Sequence, residues 1–193
     1  GEIYNHLSLK SKSYDYTTNG DSEVVLSLHK GKANAGEHAK WISKLDGMFA
    51  FAIWSENQLI LARDPVGVKP LMRTLVGDSL IFASEAKALR AHEDYVPAID
   101  NLAMRVRIAW EYPLDGTTLF ADVHQVRPGT VEVWELVNDQ PKMTSIAKFE
   151  TQKIEPAISW DDPEGLLESF TLSVSDRLMS DVPVGIVLSG GLD

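Results

Sequence analysis

The chain is 193 residues long, 44% apolar and 24% charged, the composition of an ordinary globular protein of one or two domains. Its net charge of −10, from 18 basic and 28 acidic residues with no basic block, excludes a nucleic-acid surface built on clustered Lys and Arg. The longest apolar run, Met48 to Trp54, falls far short of the roughly 20 residues that span a bilayer, so no membrane partner is expected; zero cysteines exclude a disulfide framework and fit a cytoplasmic location, and the five histidines lack paired zinc-ligand spacing.

Residues 1–6 are predicted to form a strand. Asp21 or Ser22 can cap a helix over about 22–31, with Val24, Val25 and Leu28 on one face and Glu23 in the first turn, where negative charge is favoured. A short helix carrying Trp41 is expected over Gly36–Lys44. Met48–Trp54, Leu59–Arg63, Leu71–Val76 and Leu80–Ser84 are apolar or alternating and separated by Gly, Pro, Asp and Asn; they are predicted to be antiparallel strands. Glu85–His92 and Asn101–Ala109 are expected as helices and Val131–Leu136 as a further strand. This order lacks strict βαβ alternation and points to an α+β fold.

From about Lys148 to Trp160 the pattern fades into Lys, Gln, Glu and Pro, the composition of an interdomain linker. Asp161-Asp162-Pro163 makes a helix start, with Pro at the first helical position and acids beside it. Leu166, Leu167, Phe170, Val174 and Leu178 follow at helical spacing through about Met179. Val184–Leu188 is predicted to be a short strand that opens into Ser189-Gly190-Gly191-Leu192-Asp193. A strand feeding a Gly-rich turn presents backbone N–H groups to phosphate. The Gly-Lys-Ser/Thr ending of a Walker A loop is missing. Taken alone, these five residues are equally a plain strand-to-turn junction, and Asp193 a solvated acid. Taken without any resemblance, Asp21 reads as a helix cap and Glu2 as an exposed strand acid. Arg63-Asp64 reads as a turn-stabilising ion pair and Lys69-Pro70 as a strand end; Met48, Phe49, Phe51 and Trp54 read as core or domain-interface packing.

The Gly-rich ending resembles the pyrophosphate-binding loop, Ser-Gly-Gly-x-Asp-Ser, of enzymes that split ATP into AMP and pyrophosphate. Arg177 to Leu188 resembles the approach to that loop in glutamine-dependent asparagine synthetases. Gly1-Glu2-Ile3-Tyr4-Asn5-His6 resembles the Asn-Gly-Glu-Ile-Tyr-Asn-His segment in the glutaminase half of the same family, entered one residue late. Gly20-Asp21-Ser22-Glu23-Val24-Val25, Gly47-Met48-Phe49-Ala50-Phe51-Ala52, Arg63-Asp64-Pro65-Val66-Gly67-Val68-Lys69-Pro70-Leu71 and Ala83-Ser84-Glu85-Ala86-Lys87-Ala88-Leu89 resemble further family segments, in the family's order. The likeness is clearest over 1–92 and 163–193; between them Thr118-Leu119-Phe120 and Val126-Arg127-Pro128-Gly129 are the landmarks. Pro65 and Met72-Arg73 depart from the commoner family residues, often Tyr at the latter pair.

The resemblance implies an N-terminal-nucleophile-hydrolase-like αββα sandwich, lacking its N-terminal part, over 1–147; a linker over 148–160; and the start of a Rossmann-like α/β ATP-pyrophosphatase domain over 161–193. It implies glutamine, aspartate and ATP as small-molecule substrates, Mg²⁺ with the ATP, and a homodimer as the assembly to test. By resemblance, Glu2 and Asp21 accept hydrogen bonds from the glutamine α-ammonium, a group that needs opposite charge when buried. The backbone N–H of Gly1 is one of two oxyanion donors, the other being a family Asn side chain. Val187, Leu188, Ser189, Gly190, Gly191 and Asp193 are implied at the ATP site, with Asp193 offered to Mg²⁺.

The family attacks the glutamine amide with the thiol of an N-terminal cysteine and passes ammonia to an aspartyl-adenylate, giving asparagine, glutamate, AMP and pyrophosphate. That cysteine lies upstream of the segment where this chain starts, so the chain is expected to be an interior piece, inactive on its own, with one sheet edge exposed. A relative that activates another carboxylate, as β-lactam synthetases and peptide-modifying members do, remains open, because the residues that select the acid lie beyond 193. A glutaminase attached to a sugar- or phosphoribosyl-transferring partner is disfavoured by the Ser-Gly-Gly-Leu-Asp ending. A catalytically inactive structural or interaction fragment is the reading from a different class, supported by the lack of cysteine.

Overall fold

A computed structural model describes residues 1–112, 116–150, 161–180 and 182–191. It divides into two compact units, Gly1–Gln152 and Lys153–Asp193.

In the first unit the chain runs through β1 (Glu2–Ile3), α1 (His6–Leu9), α2 (Glu23–Leu28), α3 (Ala35–Ile42), β2 (Gly47–Met48), β3 (Ala50–Ser55), β4 (Gln58–Arg63), β5 (Met72–Val76) and β6 (Ser79–Ala83). A 3₁₀ helix over Ala86–Ala91 and α4 (Asn101–Trp110) precede β7 (His124–Gln125), β8 (Thr130–Val137) and β9 (Gln140–Lys148). Pairing is antiparallel throughout: a four-stranded sheet in the order β3-β4-β8-β9, a three-stranded sheet β6-β5-β7, and the small β1-β2 pair. The α+β class and the four antiparallel strands expected between Met48 and Ser84 are borne out.

Period-2 alternation explains how the four-stranded sheet is covered on both faces. Ile53, Ile60, Ala62, Val131 and Val133 point to one side and pack with Val24, Val25, Ala39, Trp41 and Ile42 from α2 and α3. Leu61 and Trp134 point to the other and pack with Leu71, Val126 and Leu80 from the three-stranded sheet and its flanks. The β3–β4 and β8–β9 hairpins turn through Glu56-Asn57 and Asn138-Asp139, all four at positive φ, the two-residue geometry that matches strand twist. Helix α3 starts at a full capping box, Asn34 with Glu37.

Several expectations change. The first strand shortens to Glu2–Ile3 because Tyr4 turns, its N–H donating to Asp46 O at 2.8 Å, and α1 follows. Helix α2 stops at Leu28 because His29 is already extended. Ser22 makes no side-chain cap. The Met48–Trp54 strand breaks at Phe49, and the segment after Glu85 is a 3₁₀ helix. β7 and β9 were not anticipated; β9 is a mostly polar, mostly exposed edge strand with little apolar alternation to signal it.

In the second unit α5 (Pro163–Asp176) begins as expected, with Asp162 accepting from Gly165 N at 2.9 Å and Pro163 in the first turn. The strand expected over Val184–Leu188 does not form: no strand among the described residues pairs with it, and Val187 is 99% exposed. Of the linker expected over 148–160, residues 151–160 lie outside the described residues; Lys148 ends β9, and Phe149 is buried in the helix-side core. Among the described residues no helix is long and apolar enough to cross a membrane.

Candidate functional site

The short β1-β2 ladder assembles the first group of candidates. Glu2 pairs with Met48 and Ile3 with Gly47. The backbones approach so closely that a Cβ on Gly1 would sit 2.7 Å from Met48 O, and one on Gly47 would collide with Glu2 O. Glycine at both positions is therefore a steric requirement. Asp21 arrives from a loop eighteen residues on, and its Oδ2 accepts from Ile3 N at 2.6 Å. Its Oδ1 accepts from Ser22 Oγ at 3.1 Å. Asp21 is thus no side-chain cap: its carboxylate turns away from α2 and onto the strand. Gly1, Glu2 and Asp21, implied together by resemblance, do lie together; Glu2 is exposed and Asp21 half-buried.

The loop before Asp21 is fastened to α2 by two residues one turn apart. Glu23 Oε1 accepts from Thr17 N at 2.8 Å and Thr17 Oγ1 at 3.2 Å; Oε2 accepts from Thr18 N at 2.8 Å and Thr18 Oγ1 at 2.6 Å. Tyr16 Oη donates to Ser27 Oγ at 2.8 Å and accepts from Ser11 N at 3.0 Å. The Thr18 hydroxyl, then the Thr17 N–H and the remaining donors, lower the Glu23 carboxyl from 4.5 to about 2. A lowered acid stabilises the fold fully above its ordinary value and loses that contribution as pH falls through the lowered one. The Thr17 and Thr18 amide shifts are therefore expected to stay constant down to about pH 4.5 and to move with a midpoint near 2; NMR titration checks this, and a midpoint near 4.5 would mean that the clamp does not form.

Arg63 and Asp64 organise a second loop, but not as the expected ion pair. Asp64, 1% exposed, accepts four backbone N–H groups: Val66, Gly67 and Val68 on Oδ1, and Lys69 on Oδ2. Arg63 donates instead to the carbonyls of Lys69, Gly67 and Val126 and to Gln125 Oε1. Burial lowers its pKa, and the Asp64 charge opposes that shift. Gly129 N donates to Asp64 O at 2.9 Å, so the Arg63–Leu71 and Val126–Gly129 segments meet as structure. Asp64→Asn places an amide NH₂ or a single carbonyl where four donors converge; urea unfolding should show a loss of roughly 1–3 kcal/mol.

Sequence reasoning missed a chain of polar groups under α3. Trp41 Nε1 donates to His38 Nδ1 at 3.2 Å, His38 Nε2 meets Gln58 Oε1 at 3.2 Å, and Gln58 Nε2 donates to Glu135, which pairs with Lys32 at 2.6 Å. His29 stacks on His38, and burial followed by the His38 charge lowers its pKa. A pocket of about 350 Å³ lies at the end of this series of contacts, lined by Lys32, Asn34, Gln58, Glu135 and Ser145 among others; it contains none of Gly1, Glu2 and Asp21.

Val187, Leu188, Ser189, Gly190 and Gly191 form an exposed stretch without regular structure. Gly190 has φ +77° with nothing within 4 Å of a Cβ position, and Gly191 N donates to Ser189 Oγ at 3.4 Å. The space beside Gly190 is thus open, while the Gly191 N–H is taken up by the Ser189 side chain. Asp193 lies outside the described residues. Among those described, no three His, Asp or Glu side chains are grouped to hold a metal ion.

A family model for a glutamine amidotransferase domain matches residues 1–145, and one for asparagine synthase matches residues 165–193. Over its whole length the chain is 35% identical to glutamine-hydrolysing asparagine synthetase 1 of Bacillus subtilis (strain 168) and 31% identical to the glutamine-hydrolysing asparagine synthetase of Cricetulus griseus. It covers 30% and 33% of them, about a third of the length of the curated relatives it matches. An amidase of Gibberella zeae, chry2, is 33% identical across the whole chain, which covers 28% of it. Among solved structures the chain is similar to a B. subtilis glutamine phosphoribosylpyrophosphate amidotransferase complexed with ADP and GMP, with a TM-score of 0.51 and 22% identity over 79% of this chain and 28% of that one. That likeness is one of fold, and it bears out the N-terminal-nucleophile-hydrolase-like class.

Proposed function

The chain belongs to the glutamine amidotransferase domain family, and on that premise we propose that it is part of an ATP-dependent asparagine synthetase that takes its ammonia from glutamine. The observation that carries this is the Asp21 carboxylate held at Ile3 N beside Gly1 and Glu2. Two acids on a backbone ladder make a receptor for an α-ammonium, whose charge needs carboxylate partners once water is displaced. Each Asp21 oxygen makes one hydrogen bond and keeps lone-pair capacity for a second. The Gly1 N–H would serve as a donor to the oxyanion that forms when a thiolate attacks the amide carbon. The thiol would come from a cysteine outside these residues; ammonia would leave, and water would hydrolyse the thioester to glutamate.

At the other site Ser189, Gly190 and Gly191 would hold the ATP phosphates, with Val187 and Leu188 beginning the nucleotide pocket and Asp193 offered to Mg²⁺. ATP supplies the activation that a carboxylate, a poor electrophile, needs before ammonia can displace a leaving group. Location in the cytoplasm and assembly as a homodimer belong to the same reading. The test is a full-length protein carrying this chain, supplied with aspartate, ATP, Mg²⁺ and glutamine. Asparagine, glutamate, AMP and pyrophosphate should form in equal amounts. In a second reading a different carboxylate is activated; chry2, 33% identical to this chain, is named an amidase and not an asparagine synthetase. Pyrophosphate release that ignores aspartate but responds to another acid would select it.

A further inference from the structure

We propose that Glu23 is a positioning residue for glutamine binding: its carboxylate clamps the Thr17–Gly20 segment to α2 and so fixes Asp21. The inference rests on the reading of Gly1, Glu2 and Asp21 as the glutamine site.

Thr17, Thr18, Asn19 and Gly20 are exposed, so apolar burial does not hold this part of the loop. Its shape comes from hydrogen bonds. Four donors from two consecutive threonines converge on the two Glu23 oxygens. The same Thr18 hydroxyl oxygen that donates to Glu23 accepts from Gly20 N at 3.3 Å, which carries the restraint to the residue before Asp21. Glu23 and Ser27 are four apart, hence on one helix face, and each holds a different part of the loop. On its other side Asp21 is fixed by Ile3 N and Ser22 Oγ. The clamp is therefore the restraint on the N-terminal side of the candidate ammonium ligand.

Charge supports the same division of labour. Glu23 is two residues from Asp21 and could compete for a cationic group. Its lone pairs are occupied by four donors from Thr17 and Thr18, which hold the carboxylate ionised and turned onto the loop. Asp21 is left as the acid available to the ligand. A plain first-turn acid would act only through the helix dipole and would not need to fold back on the preceding loop.

The experiment uses the full-length enzyme with Glu23→Ala and Glu23→Gln, assayed with glutamine and with an ammonium salt, and with Asp21→Asn as the comparison. Misplacing a binding group by about 1 Å costs up to roughly 10²-fold. Glu23→Ala should raise the glutamine KM by about 10- to 100-fold while kcat stays within about threefold and the ammonium-driven rate is unaffected. Glu23→Gln keeps the size and one acceptor oxygen and should show a smaller rise in the same parameter; it carries the test if the alanine variant does not fold. A wild-type glutamine KM in both variants overturns the proposal, as does equal loss with both nitrogen sources. If Asp21→Asn weakens glutamine use and the Glu23 variants do not, the Glu23 assignment falls alone. If Asp21→Asn also leaves glutamine KM unchanged, the reading of the site falls, and this proposal with it.

Discussion

Asp21→Asn is expected to cut glutamine-driven activity by about 30- to several-thousand-fold, the equivalent of roughly 2–5 kcal/mol for removing one charge from an ion pair that the bound ligand would desolvate. Ammonium-driven product formation should persist, because the turn proposed for ATP belongs to the other unit. Asparagine is the informative replacement because it preserves the fold contacts. The amide oxygen can still accept from Ile3 N, and the NH₂ can donate to the Ser22 oxygen, which is within 3.1 Å. Charge is what the variant loses. If Asp21 served only to tie its loop to β1, the substitution would leave both activities near wild type, and Asp21→Ala, which deletes the Ile3 contact, would lower both through stability. A selective glutamine defect in the asparagine variant, with thermal stability retained, has no such structural explanation. The assay is the same variant run with each nitrogen source, alongside its Tm.

Asp21 also shows where sequence reading stops. An acid just before a helix is equally a cap and a ligand, and both readings predict the same residue at the same place. What the structure decides is that Asp21 is not a cap: its partner is Ile3 N, eighteen residues away, which no local pattern encodes. Elements with a strong period were legible: Ile60 and Ala62 alternate with Leu59 and Leu61 because β4 is covered on both faces, and Asp162-Pro163 announces α5 by capping chemistry alone. β9 was not legible, since an edge strand of Gln, Lys, Thr and Ser carries almost no apolar signal; its pairing with β8 supplies the order. Val184–Leu188 failed in the opposite way. Its apolar, β-branched run has strand propensity, but a strand exists only by pairing, and no partner is present among the described residues. The Arg63-Asp64 dipeptide was correctly read as structural but wrongly as a pair, because adjacent opposite charges suggest contact while the backbone points each toward different donors and acceptors.

Arg73→Met is expected to destabilise the first unit by about 3–5 kcal/mol, the cost of leaving a buried charge without its partner. Arg73, on β5, crosses between the sheets to Glu132 on β8: Nε meets Oε2 at 2.5 Å and Nη2 meets Oε1 at 3.1 Å. The Glu132 side chain is 2% exposed. Trp134 Nε1 donates to the same Oε2 at 3.0 Å, and the guanidinium lies 4.9 Å from the Trp134 ring centroid. This charged triad sits beside the apolar inter-sheet cluster of Leu61, Leu71 and Val126, where water cannot replace the arginine cheaply. The ion pair itself need add little net stability, because desolvation offsets attraction; the penalty belongs to the broken pair. The double variant Arg73→Met/Glu132→Gln discriminates between these. It removes the stranded charge and keeps a carbonyl acceptor for Trp134, so it should recover at least half of the single variant's loss. Urea unfolding of the wild type, both single variants and the double variant closes the cycle. A cost below about 1 kcal/mol for Arg73→Met would mean that Glu132 finds another partner or takes up a proton, and the two sheets would then owe their register to the apolar contacts alone.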